Sequence, residues 1–442
     1  MADTAAHLVD RVLPEVPIRQ WVLTLPYPLR YRCAWNARLT SEVLRAFLRS
    51  VFADQRRRAR ALFGIRKGQC GSVTFIQRFG SALNLTPHFH TLVLDGVYIG
   101  PSHSPGDFAA LPPPSTEDVA RVLAGTARRI LRLLERGVDE EDDPLVGDDP
   151  LMAMLGAASI RSRIATGPEA GEPWRRLGDR VEPVEEDEAG VEPRAAVPPR
   201  CVRQGGMSLH ADVAVPARDR KRLERLCRYV ARPPLALGRL EALSDGRLAY
   251  RLKTPWRDGT THVVMERREL LERLAPLIPP PRAHQVRYHG VLAPCASGRD
   301  QVVPAGPEVL ATLLTSREAD GGSTGAGLPI DSLADRSESL PRRIAWADLL
   351  KRVFEVDALR CPGCGGRMRL LAAITDPSVA RQILECLALP PRAPPLAPAR
   401  QARKQPAIGS ESISSEVEEP QTGPGFDFDQ STTEDRSPNG AS

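Results

Sequence analysis

The sequence predicts an α+β fold: a central antiparallel sheet with flanking helices, then a small C-terminal Cys-x-x-Cys unit and a disordered tail. Three observations predict it. The chain opens with the order strand, helix, strand, loop, strand, which is an α+β beginning with an antiparallel hairpin. From residue 201 a second block repeats strand, helix, hairpin, helix. Between and after these blocks, proline, acids and small residues gather in long irregular stretches, in keeping with 42 prolines in 442 residues.

The elements follow in order. "MADTAAHLVDRV" is a polar amphipathic helix. "RQWVLTLPYPLRY" (19–31) carries the strand "WVLTL", stopped by Pro26 and Pro28. "TSEVLRAFLRSVFADQRRRARALFG" (40–64) is a helix capped by Thr40 or Ser41, with Val43, Phe47, Leu48, Val51 and Phe52 on one apolar face. "GSVTFIQRFG" (71–80) is a strand, "SALNLTP" a loop, and "HFHTLVLDGVYIG" a strand ending in a turn. A helix over 115–137 follows, with Ser115 and Thr116 as cap candidates. These elements make residues 1–137 the first half of a core. Residues 138–200 read as an acidic insertion or linker in which only 149–167 looks ordered.

The second half spans 201–295. "GMSLHADVAV" (206–215) is a strand, and "ARDRKRLERLCRYVAR" (217–232) is a helix stopped by Pro233 and Pro234. "GRLAYRLKTPW" and "GTTHVVME" form a hairpin across "RDG", and "RRELLERLAPLI" is a helix. Residues 296–340 are linker, 341–390 the small unit, and 391–442 a disordered acidic tail.

Charge narrows the function. The formal net charge is +5, yet residues 137–149 hold seven acids and 182–192 hold six, with no base in either. Residues 409–442 hold eight acids against Arg436. The remainder is strongly basic, which points to a nucleic-acid partner. No apolar run approaches the roughly 18 residues needed to span a bilayer, and the N-terminus has no signal-peptide pattern. A cytoplasmic, reduced protein without disulfides is expected.

Two constellations can carry chemistry. In a strand, residues i and i+2 share a face, so His88 and His90 project together while Phe89 points into the core. Two imidazoles so placed can hold one cation, or they can be a solvated pair. Tyr229 sits late in a helix rich in arginine, beside the apolar stripe of Leu223, Leu226 and Val230. Arg222, Arg225, Arg228 and Arg232 on that helix are candidates for DNA binding. A tyrosine among arginines can attack a phosphate, because the cations attract DNA and favour the phenolate. It can equally be the rim of a core helix. The basic stretches "RRRAR" (56–60) and "KRLER" (221–225) track a phosphate backbone or make a solvated helix face. Trp21, Trp35 and Trp256 read as core.

Taken together, these residues resemble an HUH-type rolling-circle transposase, HUH denoting His-hydrophobic-His. The similarity is to the insertion-sequence transposases with two catalytic tyrosines and their single-tyrosine common-region relatives. It is carried by "TAAHLVDRVLPEVPIRQWVLTLPYPLRY", "VTFIQRFGSALNLTPHFHTLVLDGVY", "MSLHADVAVPARDRKRLERLCRYVARPPLALGRL", "LIPPPRAHQVRYHGVLAP" and "LRCPGCGGRMRLLAAITD". The resemblance implies an HUH endonuclease-like core, with the histidine strand in mid-sheet and a helix presenting tyrosine opposite. It implies that His88 and His90 bind Mg²⁺ or Mn²⁺. It implies that Tyr229 attacks a single-stranded DNA phosphate to leave a 5′-phosphotyrosine and a free 3′-hydroxyl. Since histidine is a borderline ligand for Mg²⁺, Gln77 and His210 are candidates for a third ligand. The implied partners are single-stranded element ends and target DNA, with a homodimer left open.

The chain departs from the group in two places. Paired tyrosines lie four residues apart, and here those positions are Arg225 and Pro233, so one tyrosine must act at a time. Tyr288 is read as packing. Relatives also carry a cysteine-rich zinc-binding segment ahead of the equivalent of "MADTAAHLVDRV", so a fragment or an internal start is expected. Cys361 and Cys364 look like one zinc knuckle, with Zn²⁺ and a metal-free turn both open. Two rivals stand beside the transposase reading: an inactive DNA-binding remnant of such an element, and a metal-dependent nuclease using activated water.

Overall fold

The computed structural model describes residues 1–99, 107–137, 149–178, 199–256, 258–280, 283–304, 344–369, 374 and 376–388. The chain divides into two units, one spanning Asp3–Ser323 and one spanning Thr324–Glu419.

The first unit is built on an antiparallel sheet. In chain order it begins with α1 (Ala2–Arg11), β1 (Ile18–Thr24), α2 (Tyr27–Trp35), α3 (Ala37–Phe63), β2 (Gly71–Phe79) and β3 (Leu85–Leu94). A small hairpin of β4 (Gly96–Tyr98) and β5 (Phe108–Ala110) follows, then α4 (Thr116–Glu135), α5 (Pro150–Ile160) and β6 (Arg175–Gly178). Next come β7 (Cys201–Gln204), β8 (Met207–His210), β9 (Ala214–Val215) and α6 (Arg220–Val230). The last elements among its described residues are β10 (Leu240–Ala242), β11 (Leu248–Arg251), β12 (Thr260–Met265), α7 (Arg267–Leu274), β13 (Val286–Gly290) and α8 (Arg299–Val302).

The main sheet runs β13-β2-β3-β1-β8-β7, with β9 also pairing β1. Every pairing in it is antiparallel. This is the predicted α+β core, with β3 flanked on both sides. Period two then sorts the side chains. Phe89 and Val93 of β3 join Trp21 and Leu23 of β1 in a core covered by α2, α3 and α4. Leu92 and Leu94, with Phe75 and Ile18, join a second core under α1 and α6. His88 and His90 share parity with Leu92, so they face α6. A second sheet, β10-β11-β12-β6, encloses a third core with α2 and Trp174.

Several elements differ from the sequence reading. β1 ends just ahead of Pro26 as expected, but α2 begins at once between the two prolines, with proline in its first turn, where a missing N–H costs nothing. The long helix starts at Ala37 and is capped by Asn36, whose side chain accepts from the Leu39 N–H at 2.8 Å, rather than by Thr40 or Ser41. Thr40 instead donates to the carbonyls of Cys33 and Asn36. Order in the insertion extends past 167: Trp174 is buried and β6 pairs β12. The edge strand β13 lies in a stretch given no strand from sequence. Ser115 caps α4 with a reciprocal Asp118 contact, as expected.

In the second unit, α9 (Trp346–Phe354) and α10 (Pro377–Cys386) flank the Cys361–Cys364 turn. The acidic tail over 391–442 lies outside the described residues. Among the described residues, no helix is long and apolar enough to cross a membrane.

Candidate active site

The site is set by strand register. Gln77 of β2, His88 of β3, Thr24 of β1 and Ser208 of β8 stand opposite one another in one row. Phe75, His90, Val22 and His210 form the next. All of these side chains therefore share the face that α6 covers.

The two imidazoles meet there. His88 Nε2 and His90 Nε2 are 3.1 Å apart, with ring centroids at 4.9 Å. His88 Nδ1 lies 2.7 Å from the Thr86 carbonyl, which can only accept, so this nitrogen carries the proton and Nε2 keeps its lone pair. His90 Nδ1 lies 2.7 Å from Gln20 Nε2. Gln20 is buried and belongs to β1, 70 residues away in sequence. Burial lowers the His88 pKa to about 4, with Arg232 and Arg30 pushing the same way and the Thr86 carbonyl opposing. Burial also holds His90 well below its ordinary value, followed by the charges of His88, Arg232 and His210. Both rings are thus neutral near pH 7, the state in which imidazole ligates.

Tyr229 closes the site from above. Its ring centroid is 6.2 Å from that of His90, nearly perpendicular to it. Leu223, Leu226, Cys227 and Val230 anchor α6 to the sheet and leave Tyr229 half-buried at the margin. Arg232 lies 4.6 Å and Lys253 5.5 Å from the tyrosine ring centre. Gln77 ties the end of this helix down, its Nε2 donating to the Val230 carbonyl at 2.7 Å. The Gln77 Oε1 is buried and has no hydrogen-bond partner. A buried carbonyl oxygen left unpartnered beside two imidazoles fits a cation.

His210 does not join this cluster as a ligand. It stands in the His90 row, separated by Val22, with burial lowering its pKa. Among the described residues, no three His, Cys, Asp or Glu side chains converge to hold a metal. The arginines divide. Arg222 and Arg225 are exposed, whereas Arg228 and Arg232 are half-buried. The stretch "RRRAR" is a free basic face only in part, through the exposed Arg56 and Arg60. Arg57 pairs with Asp54 and Asp118, and Arg58 is buried against the Pro112 carbonyl. Tyr288 packs at the margin of the second core, as expected.

Residues 71–106 and 174–300 match the model of a family described as "Putative transposase". The chain is similar to a transposase family. The first matched stretch carries His88 and His90 and the second carries Tyr229, so the similarity falls on the strand and helix that form the site. The match supports a transposase, and with it an interaction with DNA. No curated protein and no solved structure matches the chain.

Sequence reasoning missed Gln20 and Lys253. Neither sits in a motif; each reaches the site only through pairing between distant segments. The i, i+2 spacing of the histidines placed them on a shared face, but it carried no information about which neighbour would fix each ring.

Proposed function

We propose that the chain is a metal-dependent, single-tyrosine enzyme that nicks and joins single-stranded DNA in rolling-circle-type transposition. The observation that carries this reading is the approach of the Tyr229 ring to the His90 ring, at 6.2 Å, over an imidazole pair whose Nε2 atoms are 3.1 Å apart.

His88 Nε2, His90 Nε2 and the unpartnered Gln77 Oε1 are the atoms that would hold Mg²⁺ or Mn²⁺. When bound, the cation draws charge from a scissile phosphate. The chain's own residues do the rest. Tyr229 Oη attacks phosphorus, and the bond from phosphorus to the 3′ oxygen breaks. The phenol gives up its proton to solvent, and the departing 3′ oxygen takes one up. A 5′-phosphotyrosine and a free 3′-hydroxyl result. The new ester keeps the energy of the broken one, so reversal by another 3′-hydroxyl needs no ATP. Arg232 and Lys253 place two cations against the attacking ring, where phosphate charge must sit. Gln77 holds the helix end that carries the nucleophile. Arg222 and Arg225, exposed on the same helix, are placed to meet the DNA backbone.

The test is incubation with a labelled single-stranded oligonucleotide of the element end and Mn²⁺. A labelled, SDS-resistant protein band that Tyr229→Phe lacks is expected. Free nicked product without that band means a hydrolase using water, and binding without cleavage means an inactive remnant.

A further inference from the structure

The C-terminal unit has two features that DNA cleavage does not use. The first is its cysteine turn. The Gly365 N–H donates to the Cys361 carbonyl at 2.9 Å, and the Cys361 N–H donates to the Gly366 carbonyl at 2.8 Å. Gly365 lies at φ +69°, where side chains are strained. A Cβ on Gly366 would come within 3.3 Å of the Cys364 sulfur, so glycine leaves that sulfur room. The turn aims the N–H groups of Cys364 and Gly363 at the Cys361 sulfur. Two neighbouring thiols, one of them facing backbone donors, are half of a thiolate metal site.

The second feature is that the described helices of this unit bury nothing. Neither α9 nor α10 has a buried residue. Trp346 is 53% exposed and Phe354 66%, so the apolar side of α9 has no cover within the described residues. Short amphipathic helices left this exposed ordinarily need a metal or a partner to cover them.

Ligand arithmetic links the two. A structural zinc site takes four ligands. Four of the chain's eight cysteines, Cys33, Cys70, Cys201 and Cys227, are buried in the sheet unit. Cys295 belongs to the sheet unit, and Cys386 of the C-terminal unit does not join the turn: among the described residues no third His, Cys, Asp or Glu stands with the pair. A second copy of the chain supplies an identical pair.

We propose that Cys361 and Cys364 form half of a tetrahedral thiolate zinc site, which a second copy of this chain completes, clasping two chains by their C-terminal units. Soft thiolates favour Zn²⁺ over the hard cations expected at the histidine pair. Binding expels the thiol protons to solvent. A two-fold contact sets the same patch of each chain against the other, so the exposed sides of α9 gain cover in the same step.

The full-length protein, reduced and stripped with chelator, is titrated with Co²⁺ and then Zn²⁺ while its mass is followed by sedimentation. Sulfur-to-cobalt charge transfer reports thiolate-bound metal alone, so an imidazole site does not contribute. The band should saturate at one metal per two chains, the mass should double at the same point, and chelator should reverse both. Cys361→Ser with Cys364→Ser should lose both signals, and Cys386→Ser should keep them. One thiolate-bound metal per monomer would overturn the proposal. So would an absent band in the unaltered protein, or a dimer indifferent to chelator and to the double substitution.

Discussion

At the residue scale the chemistry turns on how each imidazole is oriented. His88 is fixed by a carbonyl that accepts its Nδ1 proton, which leaves Nε2 unprotonated. His90 is set by Gln20, and a half-turn of that amide lets Oε1 accept the His90 Nδ1 proton and frees the second Nε2. Gln20→Leu should weaken Mn²⁺ binding by about 10–100-fold, the usual effect of losing such a support. Titration of free Mn²⁺ by electron paramagnetic resonance checks it, and an unchanged affinity counts against His90 as a ligand. The pH dependence follows from burial. The unfolded chain protonates its histidines near pH 6.5, while folded His88 and His289 resist until about pH 4. The unfolded state therefore binds more protons between these values, and stability must fall as pH drops through that window. In metal-free protein the urea midpoint should be lower at pH 4.5 than at pH 7.5; a flat midpoint would contradict the assigned burial. The pair and the tyrosine were legible in sequence because strand and helix periodicity place them. Gln20 and Lys253 were not, because strand pairing and a second sheet bring them in. Gln77 was legible as a candidate ligand, but not as the group that also ties down Val230.

At the element scale, the strands and helices were legible where patterning was strong and misread at their ends. Thr40 and Ser41 looked like caps because both residue types favour that position. Asn36 takes it because α2 ends at Trp35, which leaves no room for a longer loop. Asn36→Ala should cost about 1 kcal/mol of stability, measured by denaturant unfolding. Ser41→Ala should cost less, since the Ser41 hydroxyl spends itself on an exposed carbonyl of its own helix and on Arg287. Equal losses would return the cap to the serine. The helix α2 was hidden by two prolines that read as terminators, although proline in a first turn starts helices as readily. β13 was hidden because a short, half-buried edge strand has no continuous apolar run.

For the whole molecule, the sequence carried the α+β class and the placement of the histidine strand at mid-sheet. It overcounted the basic surface. Arg57 and Arg58 are tied to Asp118 and a carbonyl, and Arg220 serves the carbonyls of Val9, Leu13 and Pro14. Such uses need tertiary partners, which composition does not reveal. The exposed side of α6 offers Arg222 and Arg225 for the proposed DNA contact. Arg222→Ala with Arg225→Ala should leave Tyr229 chemistry in place while weakening oligonucleotide binding and its salt dependence. The slope of log affinity against log salt should fall by about 0.7 for each phosphate that is no longer neutralised. A slope unchanged across a KCl series would place the DNA path elsewhere. The central claim is narrower: one phenol becomes esterified to DNA. Trypsin cuts after Arg228 and, because Pro233 blocks cleavage after Arg232, next after Arg239, so digestion of the reacted protein should release residues 229–239 carrying a 5′-linked nucleotide on Tyr229, identified by mass spectrometry. A nucleotide found on any other residue, or nicked DNA with no modified peptide, would contradict the account.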